Sequence, residues 1–354
     1  MITLLKKSAL ALMVGLAGGV VFHALGLPLP WTLGSMTAAG IAAVAGRRWE
    51  LHPSVRNYAR PVIGVMAGSA FTPAVVGSIA LWWPAVLSVL AYMLLTVLAG
   101  YLYFSRVAGY DRTTSFFASA PGGLAELTLL GGTLGGDFRQ LVLIHSIRIV
   151  IVVFCAPFIV DFLTGGISAG GAPPVLHGGT MTIVDAALLT ACVIGAILIS
   201  RLVPKLPAGI MLIAIVLSAV VHGAGLTTAS PPGWLVALVQ VVIGSIAGSR
   251  LIGVRWREMV SLVLHAVFWS AVLLVGAGAM AFVTLLFVDQ PPASMMLALM
   301  PGGTAEMIVI SYTIGIEVAF VVTAQVCRIL AVHLSVPLLF HFLRIGPSTE
   351  KPAE

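Results

Sequence analysis

The chain has 354 residues, 60% of them apolar and 8% charged, with a mean hydropathy of +1.11. A water-facing surface needs roughly a quarter charged residues, so a soluble domain is excluded and an integral membrane protein is expected, with membrane lipid as its surroundings. The net charge of +6 comes from basic residues in short clusters between apolar runs, which is how topology signals look; no nucleic-acid partner is implied.

Apolar runs occur at about 8–26, 29–46, 61–80, 82–104, 115–134 and 140–164. A Gly/Pro-rich connector at 165–181 follows, and further runs lie at 183–201, 206–225, 232–250, 259–288, 294–315 and 317–343. Lys6 and Lys7 before the first run resemble the front of a secretory leader, but a second span follows at once, so the run reads as the first membrane helix. Cys155, Cys192 and Cys327 lie inside apolar runs without metal-ligand or paired spacing, as buried thiols do.

The second half repeats the first. Pro121-Gly122-Gly123-Leu124-Ala125-Glu126 returns 180 residues later as Pro301-Gly302-Gly303-Thr304-Ala305-Glu306, and 12 of 37 positions match between 121–157 and 301–337. The matches include Arg148 with Arg328 and Pro157 with Pro337, and Asp137 meets Glu317. The same offset pairs Gly64 and Gly68 with Gly244 and Gly248, while an offset of 179 pairs Pro28 with Pro207. The expected organisation is a first repeat over 1–164, the connector, a second repeat over 182–343 and a tail over 344–354.

Six runs per half allow two topologies. If all twelve span, the halves are parallel; if the Pro-Gly-Gly run dips in and returns, each half has five spans and the second is inverted. Short cytoplasmic loops hold the Lys and Arg excess. The second arrangement puts all 16 loop or terminal basic residues on one side, whereas twelve spans split them ten to six. The expected fold is therefore an all-α polytopic membrane protein of two inverted repeats, about five helices each, with a Pro-Gly-Gly-broken re-entrant hairpin in each. Both termini would lie in the cytoplasm of a bacterial inner membrane.

Proline stops or starts a helix, the glycines permit close approach, and the helix that begins there aims the positive end of its dipole at the break, which suits an anion. A plain hairpin turn is the structural alternative. Glu126 and Glu306, one turn on, would be ionisable groups at membrane depth, where each costs at least ~2.5 kcal/mol on insertion scales. Arg148 and Arg328 are the expected partners, either as ion pairs pinning hairpin to helix or as groups that hold an anionic solute while a glutamate loads a proton or sodium ion. Asp137 and Glu317 read as helix caps, the glycine pairs as packing contacts, and His145, His222, His265 and His333 as interior histidines. Trp31, Trp82, Trp83 and Trp234 fall near run ends, like interfacial anchors.

The stretches GLPLPWTLGSMTAAG, APGGLAELTLLG followed by HSIR, and MPGGTAEMIVIS followed by QVCR resemble the bacterial AbrB membrane-protein family. The likeness covers essentially the whole chain and implies a duplicated membrane protein, labelled in that family as a regulator or as an ammonia monooxygenase. An oxygenase needs converging His and carboxylate ligands, and these histidines are scattered; a DNA-reading regulator needs a basic soluble module. The expectation is thus no enzyme and no cofactor, but a secondary transporter of a small anionic or zwitterionic solute coupled to protons or sodium. Its substrate or ion site would comprise Pro121, Gly122, Gly123, Glu126, Arg148, Pro301, Gly302, Gly303, Glu306 and Arg328. A membrane sensor acting indirectly on gene expression is the alternative, with a monooxygenase behind it, and a homodimer is left open.

Overall fold

The computed structural model describes residues 2–47, 49, 51–166, 181–204, 206–252 and 260–342, with the side chains of 2–6, 53, 125 and 126 outside the description. Among these residues all regular structure is helical. The first half runs α1 (Ile2–Ala24), α2 (Pro30–Val44), α3 (Pro53–Gly68), α4 (Pro73–Ser78), a 3-10 turn (Ile79–Trp82), α5 (Trp83–Arg106), α6 (Arg112–Ser119), α7 (Leu124–Thr133) and α8 (Phe138–Thr164). The second runs α9 (Ile183–Leu202), α10 (Gly209–Gly223), α11 (Gly233–Ser249), α12 (Val260–Leu285), α13 (Pro292–Leu299), α14 (Thr304–Ile314) and α15 (Val318–Phe342). Apart from the short α4 and the 3-10 turn, the order and relative lengths recur.

Among the described residues six segments are long and apolar enough to cross a membrane: α1, the stretch Pro73–Arg106, α8, α9, α12 and α15. Their outward faces carry large apolar side chains such as Leu81, Phe162, Ile183 and Val275. In water that surface would drive aggregation; in lipid it has no such cost. The molecule is accordingly a polytopic helical membrane protein.

The shorter α2, α3, α10 and α11 pack across the halves, α3 on α10 and α11 on α2. Their glycines explain the closeness. A Cβ on Gly64 would come within 2.6 Å of the Met211 carbonyl, and one on Gly68 within 2.6 Å of the Ile215 carbonyl. On the other side Gly244 faces the Thr32 carbonyl and Gly248 the Met36 carbonyl, each at 2.3 Å from a hypothetical Cβ. Met211 and Ile215 stand to Thr32 and Met36 at the 179-residue offset, so the two interfaces share one register and the halves exchange roles. Both α2 and α10 start from a left-handed residue, Leu29 (φ 46°) and Ala208 (φ 50°), each after the repeated proline.

Three elements differ from the sequence expectation. Helix α3 begins at Pro53, where the His52 ring accepts the Ser54 amide, eight residues before the apolar run at 61. Its first two turns carry Arg56 and Arg60, which hide it from a hydropathy window. The 61–80 run straddles a break at Ser69–Thr72, and α4 starts there with Thr72 as its cap. Trp82 is no interfacial anchor but is 5% exposed in the core, edge-on to Phe320 at 5.4 Å, whereas Trp83 and Trp234 are exposed as anchors would be. The connector residues 167–180 and the tail lie outside the described residues.

Candidate functional site

Each Pro-Gly-Gly break is built the same way. Proline disfavours helical backbone in the residue before it, so Ala120 (ψ 127°) and Met300 (ψ 124°) turn extended and end α6 and α13. The last carbonyls of those helices then lack a continuing turn to donate to them. Arg148 supplies the donors: Nη1 to the Ala120 carbonyl and Nη2 to the Gly122 carbonyl, both at 3.0 Å. Arg328 does the same in the second half, to the Met300 carbonyl at 2.6 Å and the Gly302 carbonyl at 3.3 Å. Both guanidinium groups are buried, and their charge lies at the negative end of a helix dipole.

Gln325 strengthens the second pin. Its amide nitrogen donates to the Leu297 carbonyl at 2.8 Å, and its oxygen accepts from Arg328. The equivalent residue in the first half is His145, wholly buried, whose ring makes no well-formed hydrogen bond and meets the Phe117 backbone only loosely. Phe117 is the counterpart of Leu297.

The glycines let each tip reach across to the other half. A Cβ on Gly122 would stand 2.6 Å from Val332 of α15, and one on Gly302 would stand 3.2 Å from Val152 of α8; Val152 and Val332 are themselves equivalent. Residues 121–124 and 302–306 line one cavity of about 380 Å³, together with Arg56 and Arg60 of α3, Arg250 at the end of α11, Ala208 before α10, and Ile329 and Arg328 of α15. Apart from Ser249 the remaining wall is apolar, with Ile63, Ile149, Met211 and Ile243 among its residues. Helices α7 and α14 both start here from a glycine with no side-chain cap, so two positive helix ends meet in one space.

The residues singled out from the sequence therefore divide. Pro121, Gly122, Gly123, Gly302, Gly303, Glu306 and Arg328 line the cavity; Pro301 and Arg148 are buried behind it and are not lining residues. The side chain of Glu126 lies outside the description. Glu306 is 5% exposed and does not pair with Arg328 as expected: its Oε1 meets Arg250 Nη2 at 3.3 Å, while Arg328 is occupied by backbone and Gln325. A Cβ on Gly303 would fall 1.9 Å from Glu306 Oε2, so the carboxylate folds back over its own helix start, into space that a side chain at 303 would contest.

Arg56, Arg60 and Arg250 are the site residues that sequence reading missed. In the sequence they read as loop charges, and Arg250 stands where the duplication puts Ala70, so the repeat carries no sign of it. The one available signal is position: Arg250 lies two residues beyond Gly248 of the paired Gly244–Gly248 segment. Asp137 caps α8 as expected, accepting the Gln140 amide at 3.0 Å, and His222, His265 and His333 have polar partners. Among the described residues no three of His, Cys, Asp and Glu come together.

Two relatives align over nearly their full length. The chain is 27% identical over 332 residues to a protein of Escherichia coli (strain K12) named "Putative regulator AbrB", covering 91% of this chain and 92% of that one. It is 25% identical over 365 residues to "Uncharacterized protein YhjN" of Bacillus subtilis (strain 168), covering 96% and 94%. The family model described as "Transition state regulatory protein AbrB" matches residues 31–344, and the chain belongs to the AbrB family.

Proposed function

We propose that the protein is a secondary transporter of a small anionic or zwitterionic solute, coupled to protons or sodium and working by alternating access. The observation that carries this reading is the shared cavity: two equivalent broken helices, one from each half, open on it beside Arg56, Arg60, Arg250, Arg328 and Glu306. Cations and helix starts together favour an anion, and about 380 Å³ is the space of a small metabolite, near the lower end of ligand pockets. Transport, not catalysis, is the function in this reading, with no cofactor.

The membrane arrangement in this proposal is five spans plus one re-entrant hairpin per half, the second half inverted. Helices α6 and α7, of 8 and 10 residues, are roughly 12 and 15 Å long, half of a ~30 Å hydrocarbon layer. A chain that breaks between them thus sits near mid-depth. At the other end of the pair, the Asp137 amide donates to Thr114 Oγ1 at 2.7 Å, tying the end of the hairpin back to its beginning and supporting a return to the starting side. Backbone breaks at that depth are tolerated where they line a cavity, and inverted repeats with broken helices are a recurrent transporter design. The basic residues around the cavity, Arg56 and Arg250 above all, belong to the side read as cytoplasmic, so the cavity corresponds to an inward-facing state in the inner membrane.

The test is uptake into proteoliposomes from a panel of carboxylates and amino acids, with and without proton and sodium gradients. Gradient-driven uptake of at least one solute is expected, and Glu126→Gln and Glu306→Gln should each reduce the gradient-driven part to background. Intact flux with intact pH and sodium dependence in both variants would remove the coupling role. No flux for any solute would turn attention to a regulatory partner docking on the basic segments 47–60 and 250–258, in line with the name of the E. coli relative.

A further inference from the structure

The ion pair in the cavity is built to be broken. At 3.3 Å and through a single nitrogen, it is longer than the 2.7–2.9 Å usual for a charge-assisted bond. The other terminal nitrogen of Arg250, Nη1, is buried without any hydrogen-bond partner, although the residue lines the cavity. A buried, unengaged guanidinium N–H costs free energy until an acceptor arrives. Arg250 also has no counterpart in the first half, so the duplicated scaffold does not need it.

We propose that the Arg250–Glu306 pair is a latch that the solute opens. A carboxylate of the solute takes the free Nη1 and then Nη2 of Arg250, displacing Glu306, and the released Glu306 takes up a proton, so anion and proton load together. This rests on the transport reading and supplies its coupling step. The physical reason is the depth of Glu306. A carboxylate that is 5% exposed and has lost its cation is an uncompensated buried charge, and protonation is the cheaper state. The charged and titratable groups around it are Arg56 and Arg60 on α3, Arg148 on α8, Arg250 on α11, Arg328 on α15 and Tyr312 on α14 itself, while α13 brings none. Arg148 and Arg328 are committed to backbone carbonyls, and Arg250 is the cation that holds Glu306, so it is the one whose partner changes.

Glutamate 306 is then a competitor of the solute, and removing its charge should improve binding. With succinate as the probe, calorimetry on the full-length protein in nanodiscs should show Glu306→Gln binding about tenfold more tightly than wild type, the order expected for one charge-assisted hydrogen bond. Repeating the titration in two buffers of different protonation enthalpy reads the protons taken up per anion, about one for wild type and about zero for Glu306→Gln. Arg250→Gln should bind succinate about tenfold more weakly than wild type, and the double variant should be as weak as Arg250→Gln. Succinate affinity in Glu306→Gln no better than wild type, proton uptake unchanged by that substitution, or undiminished affinity in Arg250→Gln each overturns the latch. Because these are binding measurements, a protein that meets them without moving any solute refutes the transport reading and leaves the latch standing. One that transports but fails them refutes the latch alone.

Discussion

The two tips of the molecule are copies in their backbone and strangers in their chemistry. Arg148 and Arg328 grip equivalent carbonyls on either side of equivalent prolines, and Gly122 and Gly302 approach equivalent valines of the opposite half. The side chains next to them diverge: Gln325 braces Arg328 where His145 makes no hydrogen bond to Arg148, and Arg250 holds Glu306 where the other half has Ala70. What stayed the same after duplication is what holds each broken helix together. What changed, in the transport reading, is what a solute would meet.

If the pins are the shared scaffold, breaking either should cost the most. Arg148→Met and Arg328→Met each leave two carbonyls without donors, all buried except the half-buried one of Gly122, at up to about 1–3 kcal/mol apiece, offset in part by relief of the buried charge. The net expectation is a loss of about 2–4 kcal/mol in either half, measured by thermal unfolding in nanodiscs and by protease cleavage at the tips. Lysine should not rescue, because a point ammonium lacks the planar fork that reaches both carbonyls. A large loss at one arginine and none at the other would show that the symmetry of the pins is only geometric.

The sequence made this scaffold readable because duplication acts as an internal control. A Pro-Gly-Gly-x-Ala-Glu that appears once is a turn; appearing twice at one spacing, with an arginine following at one spacing, it marks a built feature. The partners of those arginines were not readable, since a backbone carbonyl leaves no mark in a sequence and a carboxylate does. That is why Glu306 looked like the mate of Arg328 and belongs instead to Arg250. Helix α3 hid for a related reason: its first turns place Arg56 and Arg60 at the cavity, while hydropathy registers them as loop. Trp82 was misplaced because the end of an apolar run looks the same from sequence whether the chain there meets headgroups or folds back into the core.

A middle-sized effect separates the close-packed glycines from ordinary ones. In a helix interior Gly→Ala gains about 1 kcal/mol of propensity, yet at Gly244 the new methyl would overlap the Thr32 carbonyl and the Ser35 hydroxyl, at 2.3 and 2.0 Å. Backbone oxygen cannot rotate away, so overpacking, at about 1–3 kcal/mol, outweighs the gain. Gly244→Ala should lower stability, and Gly64→Ala should match it in the other half, where Met211 plays the part of Thr32. Gly278→Ala in α12 is the control: a Cβ there meets nothing within 4 Å, so the propensity gain stands alone and the melting temperature should hold or rise. Equal behaviour of Gly244→Ala and Gly278→Ala would mean that α2 and α11 have room to separate.

The smallest effect bears most directly on why the halves differ. If His145 is merely a worn counterpart of Gln325, His145→Gln should give the first half the bond its twin already has, from the amide to the Phe117 carbonyl, with its oxygen open to Arg148. The gain should be at most about 1 kcal/mol, the net worth of one hydrogen bond, and Gln325→His should lose a similar amount. Transport should be unchanged by His145→Gln. A stabilised protein with diminished transport would give the opposite answer: the loosely held arginine of the first half is then a functional slackness, and that tip is the one that moves.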